Sequence, residues 1–249
     1  MGGTHPMSPE DLTAQWHTRG REARTKAKAQ KTMASITLFT GGIQPLPESG
    51  RPTGMYKTRV DVPIALGPEG FAGDQQADRR VHGGPDKAVH LYPAGHYPRL
   101  AARFPDVAAQ LVPGALGENL STPDLDEADV RIGELWQLGR AVLQVCQPRN
   151  PCWKIDERFG ADGMAGFIVE HLLTGWYWRV VQPGHVSPGD TLDRLHAAPQ
   201  APTLREAQLL WQAHRPPLAE LERLADTPGL ARAWRDKIVQ RLTWLKMSA

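Results

Sequence analysis

The stretch ELWQLGRAVLQV, residues 134–145, predicts two strands joined by a two-residue loop at Gly139 and Arg140. A loop of that length matches the twist of paired strands. Four further segments combine apolar or alternating residues with closely spaced Gly and Pro turns: SITLFTGG (35–42), TRVDVPIALGPEG (58–70), KAVHLYPAGHY (87–97) and GWYWRVVQPGHVSPGDTLDRL (175–195). Val60, Val62 and Ile64 alternate with other residues, which predicts one strand in the second of these segments. The chain is therefore predicted to be mainly β, as a barrel or a sandwich.

The pattern becomes helical after residue 198. Thr203 followed by Glu206 is a capping-box signature for a first helix. Two consecutive prolines at 216–217 separate that helix from a second. Thr227 before Pro228 predicts the N-cap of a third helix.

Three regions follow from these changes in pattern. Residues 33–198 are predicted to form the β domain, and residues 199–249 a small domain of three amphipathic helices. Residues 1–32 are polar and basic in their second half, and they are predicted to be a disordered extension. A basic arm that binds a partner would show the same composition.

Composition places the chain among ordinary globular proteins. It has 249 residues, of which 41% are hydrophobic and 22% charged, and a formal net charge of +2. So mild a charge does not favour a nucleic acid polymer as the partner. No apolar run approaches the roughly 18 residues of a membrane span, and no signal-peptide core is evident. With only two cysteines a disulfide framework is excluded, and a cytoplasmic location is expected.

The segment GDQQADRRVHGGPDKAVHLY, residues 73–92, carries the first group of candidate ligand-binding residues. The turn His82-Gly83-Gly84 would let backbone N–H groups approach a ligand closely. Arg79, Arg80 and Lys87 lie near that turn and could converge on an anion. A tight turn with solvated charges explains the same pattern.

A metal site in this segment is the weaker interpretation. Asp74, Asp78 and His82 follow one another at four-residue spacing, which would bring them together only on a helix. The adjacent glycines argue against a helix there.

The segment GALGENL, residues 114–120, admits two interpretations. Asn119 could hydrogen-bond a ligand from a glycine-rich loop. Equally, Glu118 and Asn119 could bond the backbone of their own turn. The sequence leaves both open.

Cys152 lies in QPRNPCWKID, residues 147–156, between a proline and Trp153. A free cysteine is commonly a small buried hydrophobic residue, and a bridge to Cys146 is opposed by a reducing compartment. Arg149 and Lys154 would favour the thiolate, which is the form that ligates metals or attacks carbon. A nucleophile would need a base, for which three histidines are candidates: His82, His90 and His96.

Five segments occur in the order and spacing found in the MOSC-domain family, and the chain resembles its YiiM-type branch. They are GDQQADRRVHGGPDKAVHLYPAGHY (73–97), GALGENL (114–120), VRIGELWQLG (130–139), VCQPRNPCWKI (145–155) and GWYWRVVQPGHVSPGD (175–190). The resemblance implies a β-barrel with few helices, followed by the small three-helix domain.

The resemblance also implies a site for the molybdenum cofactor, in which a molybdopterin dithiolene holds the metal. Cys152 occupies the cysteine of the Pro-Cys-Trp motif and would be the protein's metal ligand, whereas Cys146 is interpreted as a core residue. Molybdenum is thiophilic, in agreement with a thiolate ligand. The other candidates for binding the cofactor are Arg79, Arg80, His82, Gly83, Gly84, Lys87, Asn119 and Arg149.

The implied activity is reduction of N-hydroxylated compounds, such as hydroxylaminopurines, to amines. Cys152 and His82 would be the catalytic residues, with His82 as the proton donor. No flavin or nicotinamide fingerprint occurs, so a separate flavin-type reductase is expected to supply electrons, and pyridoxal phosphate is not required. Two alternatives stay open: a non-catalytic carrier of molybdenum cofactor or sulfur that uses Cys152, and a metal-free thiol hydrolase.

Overall fold

The structure is a computed structural model that describes residues 33–78 and 83–248. The predicted N-terminal extension, residues 1–32, lies outside the described residues. The strands are β1 (Met33–Ser35), β2 (Thr37–Thr40), β3 (Gln44–Pro45), β4 (Pro52–Thr53), β5 (Thr58–Arg59), β6 (Ile64–Gly67), β7 (Gly70–Phe71), β8 (Val89–Pro93), β9 (Leu120–Thr122), β10 (Leu135–Leu138), β11 (Ala141–Pro148), β12 (Trp176–Gln182), β13 (Gly184–Val186) and β14 (Thr191–His196). The α-helices are α1 (Tyr97–Arg103), α2 (Lys154–Phe159), α3 (Met164–Glu170), α4 (Leu204–Gln212), α5 (Leu218–Ala225) and α6 (Arg232–Met247).

Nine strands form one sheet in the order β1-β14-β10-β11-β12-β8-β9-β2-β5. Only Ile36 separates β1 from β2 in the chain, yet β1 is at one edge of the sheet and β2 is next to the other edge. The sheet must therefore curl until its edges approach each other, as a half-barrel. The mainly β, barrel-type fold expected from the sequence is confirmed. Two smaller sheets, β13-β6-β7 and β3-β4, complete the β structure described.

The predicted hairpin lies at the middle of this sheet and is confirmed, because Leu138 pairs with Ala141 across the two-residue loop. The prediction of one strand through Val60, Val62 and Ile64 is wrong. Residues 58–67 form two strands, β5 and β6, which are separated by residues 60–63, the last of which is Pro63. Proline has no N–H to donate to a neighbouring strand, and Val62 beside it is exposed.

The capping box at the start of α4 is confirmed. The Thr203 hydroxyl accepts a bond of 3.1 Å from the Glu206 backbone N–H, and the Glu206 carboxylate accepts one of 2.8 Å from the Thr203 N–H. The N-cap predicted at Thr227 is wrong, because α6 begins at Arg232. Gly229 has a φ of 86°, a left-handed conformation that cannot continue a helix from Thr227.

Two short helices, α2 and α3, follow the cysteine segment and were not predicted. Ile155 and Phe159 lie four residues apart on the buried side of α2, and Gly160 ends that helix with a φ of 59°. An apolar pair at this spacing followed by glycine is the signal that would have found it. Within residues 33–78 and 83–248, no helix combines the length and apolar character needed to cross a membrane.

The main hydrophobic core lies between the curled sheet and the C-terminal helices. Trp136 and Trp178 are fully buried, with ring centroids 6.2 Å apart. Leu204 of α4, Leu221 of α5 and Ile238 of α6 belong to the same buried cluster. The helices thus share a core with the sheet, and the domain division at residues 198 and 199 stays a prediction.

A pair of substitutions on α4 tests this shared core. Leu204→Ala should lower the free energy of unfolding by about 2–5 kcal/mol, because Leu204 is 0% exposed and its removal leaves a cavity. Leu209→Ala is the control on the same helix, since that side chain is 43% exposed and should cost less than about 1 kcal/mol. Urea unfolding followed by circular dichroism measures both. Equal costs would show that α4 does not complete the core.

Candidate functional site

A groove of about 910 Å³ lies between the sheet and the C-terminal helices. Its sheet side is formed by residues 147–154, which include the end of β11 and the segment that follows it, with Lys87 and Tyr177. Its helical side is formed by residues of α4 and α6, among them Gln208 and Trp234. A smaller cavity of about 80 Å³ shares lining residues with this groove: Ala77, Lys87, Arg149, Cys152, Lys154 and Tyr177. Cys152 therefore lies where the two cavities meet.

The end of β11 positions Cys152. The register of β11 on β12 pairs Pro148 with Trp176, and the Arg149 N–H then donates a bond of 3.0 Å to the Gly175 carbonyl. The chain next leaves the sheet, and the Cys152 carbonyl accepts a bond of 3.0 Å from the Ile155 N–H at the start of α2. The thiol is thus held half-buried on a strand-to-helix turn that lines both cavities.

Cys146 has a different environment from Cys152. It is fully buried, and its Sγ donates to the carbonyls of Asp86 at 2.9 Å and Tyr177 at 3.3 Å. Burial raises the pKa of the Cys146 thiol far above its ordinary value. Both cysteines are free, so the structure contains no bridge between them. The interpretation of Cys146 as a core residue is confirmed.

Arg149 carries a positive charge into the interior beside Cys152. Arg149 is only 8% exposed, and its Nη2 donates a hydrogen bond of 3.2 Å to the Leu116 carbonyl. Nη1 is buried and has no hydrogen-bond partner among the described residues. A buried guanidinium with an unpartnered nitrogen is costly, and an anionic ligand in the cavity would satisfy it.

Glu118 holds the loop that supplies Arg149 with its carbonyl partner. This fully buried carboxylate accepts bonds from the N–H groups of Gly114 at 2.6 Å and Leu116 at 3.1 Å, and from the Tyr97 hydroxyl at 2.5 Å. Burial raises the pKa of Glu118, and the bonds from Tyr97 and Gly114 oppose the rise. The alternative in which Glu118 and Asn119 bond the backbone of their own turn is confirmed for Glu118 and is wrong for Asn119, whose amide bonds His90, Phe39 and Asp74.

Asn119 lines the smaller cavity, but protein groups already engage its amide. Its Oδ1 accepts from the His90 N–H at 3.1 Å, and its Nδ2 donates to Asp74 at 2.9 Å. Asp74 also forms a buried ion pair of 2.7 Å with Lys57, which the sequence analysis did not identify. Burial lowers the pKa of Lys57 even though Asp74 opposes the change. Asn119 thus braces the cavity wall, and its contact with a cofactor stays a prediction.

These contacts of Asp74 argue against the interpretation of Asp74, Asp78 and His82 as a metal site. The second carboxylate oxygen of Asp74 accepts from the Gly41 N–H at 2.9 Å, so both of its oxygens are in use. Across the described part of the chain, no three His, Cys, Asp or Glu side chains gather as a metal-binding group.

The turn predicted around His82 is only partly described. Arg79, Arg80 and His82 lie outside the described residues, and their roles stay predictions. Gly84 has a φ of 91°, as expected for a glycine turn, and its carbonyl accepts from the Lys87 N–H at 2.9 Å. Neither Gly83 nor Gly84 lines either cavity through its described atoms. Lys87 lines both, with its Nζ 5.9 Å from the ring centroid of Tyr177.

The two described histidines considered as bases lie in different places. His96 bonds the buried carboxylate of Glu127 at 2.8 Å and does not line the cavities. His90 lines the smaller cavity with Cys152. Burial, then the charges of Arg149 and Lys57, hold the pKa of His90 well below its ordinary value. This environment opposes the imidazolium that a Cys/His nucleophile requires.

The difference between the two thiols can be tested by alkylation. Protein from a host without molybdenum cofactor synthesis is treated with iodoacetamide in the native state and in urea. Cys152 should be modified in the native protein because it faces a cavity, while Cys146 should react only after unfolding because burial protects it and raises its pKa. Peptide mass mapping identifies the modified residue. Native modification at Cys146 would contradict the geometry.

The comparisons with known proteins agree with this fold. A family model for the MOSC domain matches residues 78–193. The protein YiiM of Escherichia coli (strain K12) is 36% identical over 207 residues, which cover 83% of this chain and 91% of YiiM. The crystal structure of that YiiM matches with a TM-score of 0.72 at 29% identity, over 85% of this chain and 92% of the other.

Two further relatives are similar in sequence. The protein YflK of Bacillus subtilis (strain 168) is 36% identical over 214 residues, which cover 85% of this chain and 96% of YflK. A protein named Reductase from Gibberella moniliformis is 36% identical over 142 residues, which cover 57% of this chain and 25% of that protein. Because YiiM and YflK are matched over nearly their whole lengths, this chain belongs to the MOSC-domain family and is of the YiiM type.

Proposed function

We propose that this chain is a molybdenum cofactor-dependent reductase that converts N-hydroxylated compounds, such as hydroxylaminopurines, to amines. The observation that carries the proposal is the pairing of a half-buried Cys152 thiol with the unpartnered guanidinium nitrogen of Arg149 around shared cavities. The relative named Reductase supports the oxidoreductase class, and the family supports the cofactor.

The residues around the cavities fit a phosphate-bearing pterin. The groove volume of about 910 Å³ is at the upper end of the roughly 300–1,000 Å³ typical of ligand sites, which leaves room for cofactor and substrate. Among the described residues that line the groove, only Asp78 is acidic, whereas five are basic: Arg51, Lys87, Arg149, Lys154 and Lys237. Such a groove attracts an anionic cofactor. The cysteine contributes the soft donor that molybdenum selects.

The reaction consumes two electrons and two protons for each N–O bond broken and yields the amine and water. When bound, the molybdenum cofactor supplies the electron pair for this cleavage. Cys152 Sγ would hold the metal, and Arg149 Nη1 would bond an anionic oxygen of the pterin. His82 stays our proposal for the proton donor, since an imidazole can release a proton near neutral pH.

A separate flavin-type reductase is proposed as the electron donor. The groove lining includes an exposed aromatic ring, Trp153, with the guanidinium carbon of Arg51 5.3 Å from the ring centroid. An aromatic and basic rim would suit a reversible partner with acidic groups around its own redox centre.

Metal content measured in a host competent for cofactor synthesis tests the proposal. Cys152→Ala should lose most of the bound molybdenum and N-reduction, because the variant lacks the protein ligand. Cys146→Ser is the matched control, because a serine hydroxyl can donate to the same carbonyls of Asp86 and Tyr177. It should keep both properties. Elemental analysis, pterin content and turnover of a hydroxylaminopurine provide the measurements.

Other results would point elsewhere. Equal molybdenum content in the parent and Cys152→Ala would move the metal ligand to another residue. Bound cofactor without turnover under reducing conditions would favour the carrier function. Protein that never acquires molybdenum in the competent host would contradict the cofactor assignment.

A further inference from the structure

The helical wall of the groove carries a positive charge in addition to those of the cysteine segment, residues 147–154. Lys237 of α6 and Lys87 before β8 both line this groove, although 150 residues separate them in the chain. The two ammonium groups are near enough for Lys237 to lower the pKa of Lys87, after the larger effect of burial. Two like charges around one space favour an anion between them.

Asp86, which precedes Lys87 in the chain, also bonds other groups. Asp86 Oδ1 accepts from Arg179 Nε at 2.7 Å, and Asp86 Oδ2 accepts from the Arg232 N–H at 3.0 Å. The other basic residues of the groove make contacts at the cysteine side: Lys154 donates to the Pro52 carbonyl at 2.8 Å. Lys237 therefore adds a positive charge on the helical side of the groove, apart from the cysteine segment.

The same wall offers contacts for a flat aromatic ring. Trp211 of α4 and Trp234 of α6 line the groove with their ring centroids 6.2 Å apart. Gln208 of α4 also lines the groove; it is only 5% exposed, and its Oε1 has no partner among the described residues. Aromatic faces and a carbonyl acceptor are the groups that bind a base with exocyclic N–H groups.

Local hydrogen bonds fix the orientation of the Gln208 amide. The Thr174 hydroxyl donates to the Gly175 carbonyl at 3.0 Å, so it accepts from Gln208 Nε2 at 2.5 Å. Oε1 is consequently the free end of the amide. An acceptor there would suit a donor on the substrate and would not suit the phosphate of the cofactor.

We infer that α4 and α6 form a subsite for a phosphorylated substrate, in which Lys87 and Lys237 bind a phosphate monoester while Gln208 and the tryptophan pair contact the base. The preferred substrate class would then be N-hydroxylated nucleotides over the corresponding nucleosides. This inference rests on the proposed reductase function and deepens it by naming the substrate class.

The test compares reduction of N6-hydroxyadenosine with that of its 5′-monophosphate by cofactor-loaded protein, with dithionite-reduced methyl viologen as the electron source. The parent should show the higher kcat/KM for the monophosphate. Lys237→Gln should lower the ratio of the two kcat/KM values about tenfold, as expected for loss of one charge-assisted contact. Lys246→Gln is the control on α6. Lys246 does not line the groove and forms an ion pair of 2.6 Å with Glu222, so this substitution should leave the ratio unchanged.

Calorimetric binding of the two products, adenosine and adenosine 5′-monophosphate, gives a readout independent of turnover. The parent should bind the monophosphate more tightly, and Lys237→Gln should lose that preference. Equal reduction and equal binding of the phosphorylated and unphosphorylated compounds would overturn the inference and leave the reductase proposal standing. Absence of reduction by molybdenum-loaded protein would overturn the reductase proposal, and the binding preference would still decide the subsite.

The cofactor is the other source of a phosphate monoester for these lysines. Molybdenum and pterin content of Lys237→Gln distinguish the two sources. Content equal to that of the parent supports a substrate subsite. A large loss of pterin would assign Lys237 to the phosphate of the cofactor and overturn the inference.

Discussion

The buried guanidinium of Arg149 is the constraint on which the arrangement of the site depends. Its charge lies in the interior with one terminal nitrogen unpartnered among the described residues, and the other nitrogen bonds Leu116. Glu118 holds the loop that presents this carbonyl. The positive charge of Arg149 adds to the larger effect of burial in lowering the pKa of His90. A charge buried in this way requires partners or a ligand. The cavity beside Cys152 supplies the space for one.

The C-terminal helices contribute to the site as well as to the stability of the fold. Their inner faces share the hydrophobic core of the sheet, and their outer residues form one wall of the groove. Direct hydrogen bonds also join the regions: the Ala231 N–H donates to the Cys146 carbonyl, and the Arg232 N–H donates to the Asp86 carboxylate. A substitution in the helices can therefore change both the free energy of unfolding and the shape of the cavity.

Much of the fold was predictable, because strands and turns depend on neighbouring residues. The hairpin at Gly139 and the capping box at Thr203 were predicted correctly. The errors arose where backbone chemistry overrode a pattern: Pro63 interrupted an alternating segment, and Gly229 opposed the N-cap expected at Thr227. In the site, Cys152 was distinguished from Cys146 by its motif, whereas Lys57 was missed because no local pattern marks a lysine that pairs with a carboxylate 17 residues away.

The sequence by itself determined the mainly β fold, the helical C-terminus, and the position of Cys152 in a stiff, proline-flanked turn beside Arg149. Tertiary structure decided which distant side chains meet that turn. The curl of the nine-stranded sheet and the packing of α4 and α6 bring Lys87, Gln208 and Lys237 to one groove. Tertiary structure also engaged the amide of Asn119 with protein partners. The physical reason is that secondary structure depends on local backbone and side-chain preferences, while the lining of a cavity depends on strand order and long-range packing.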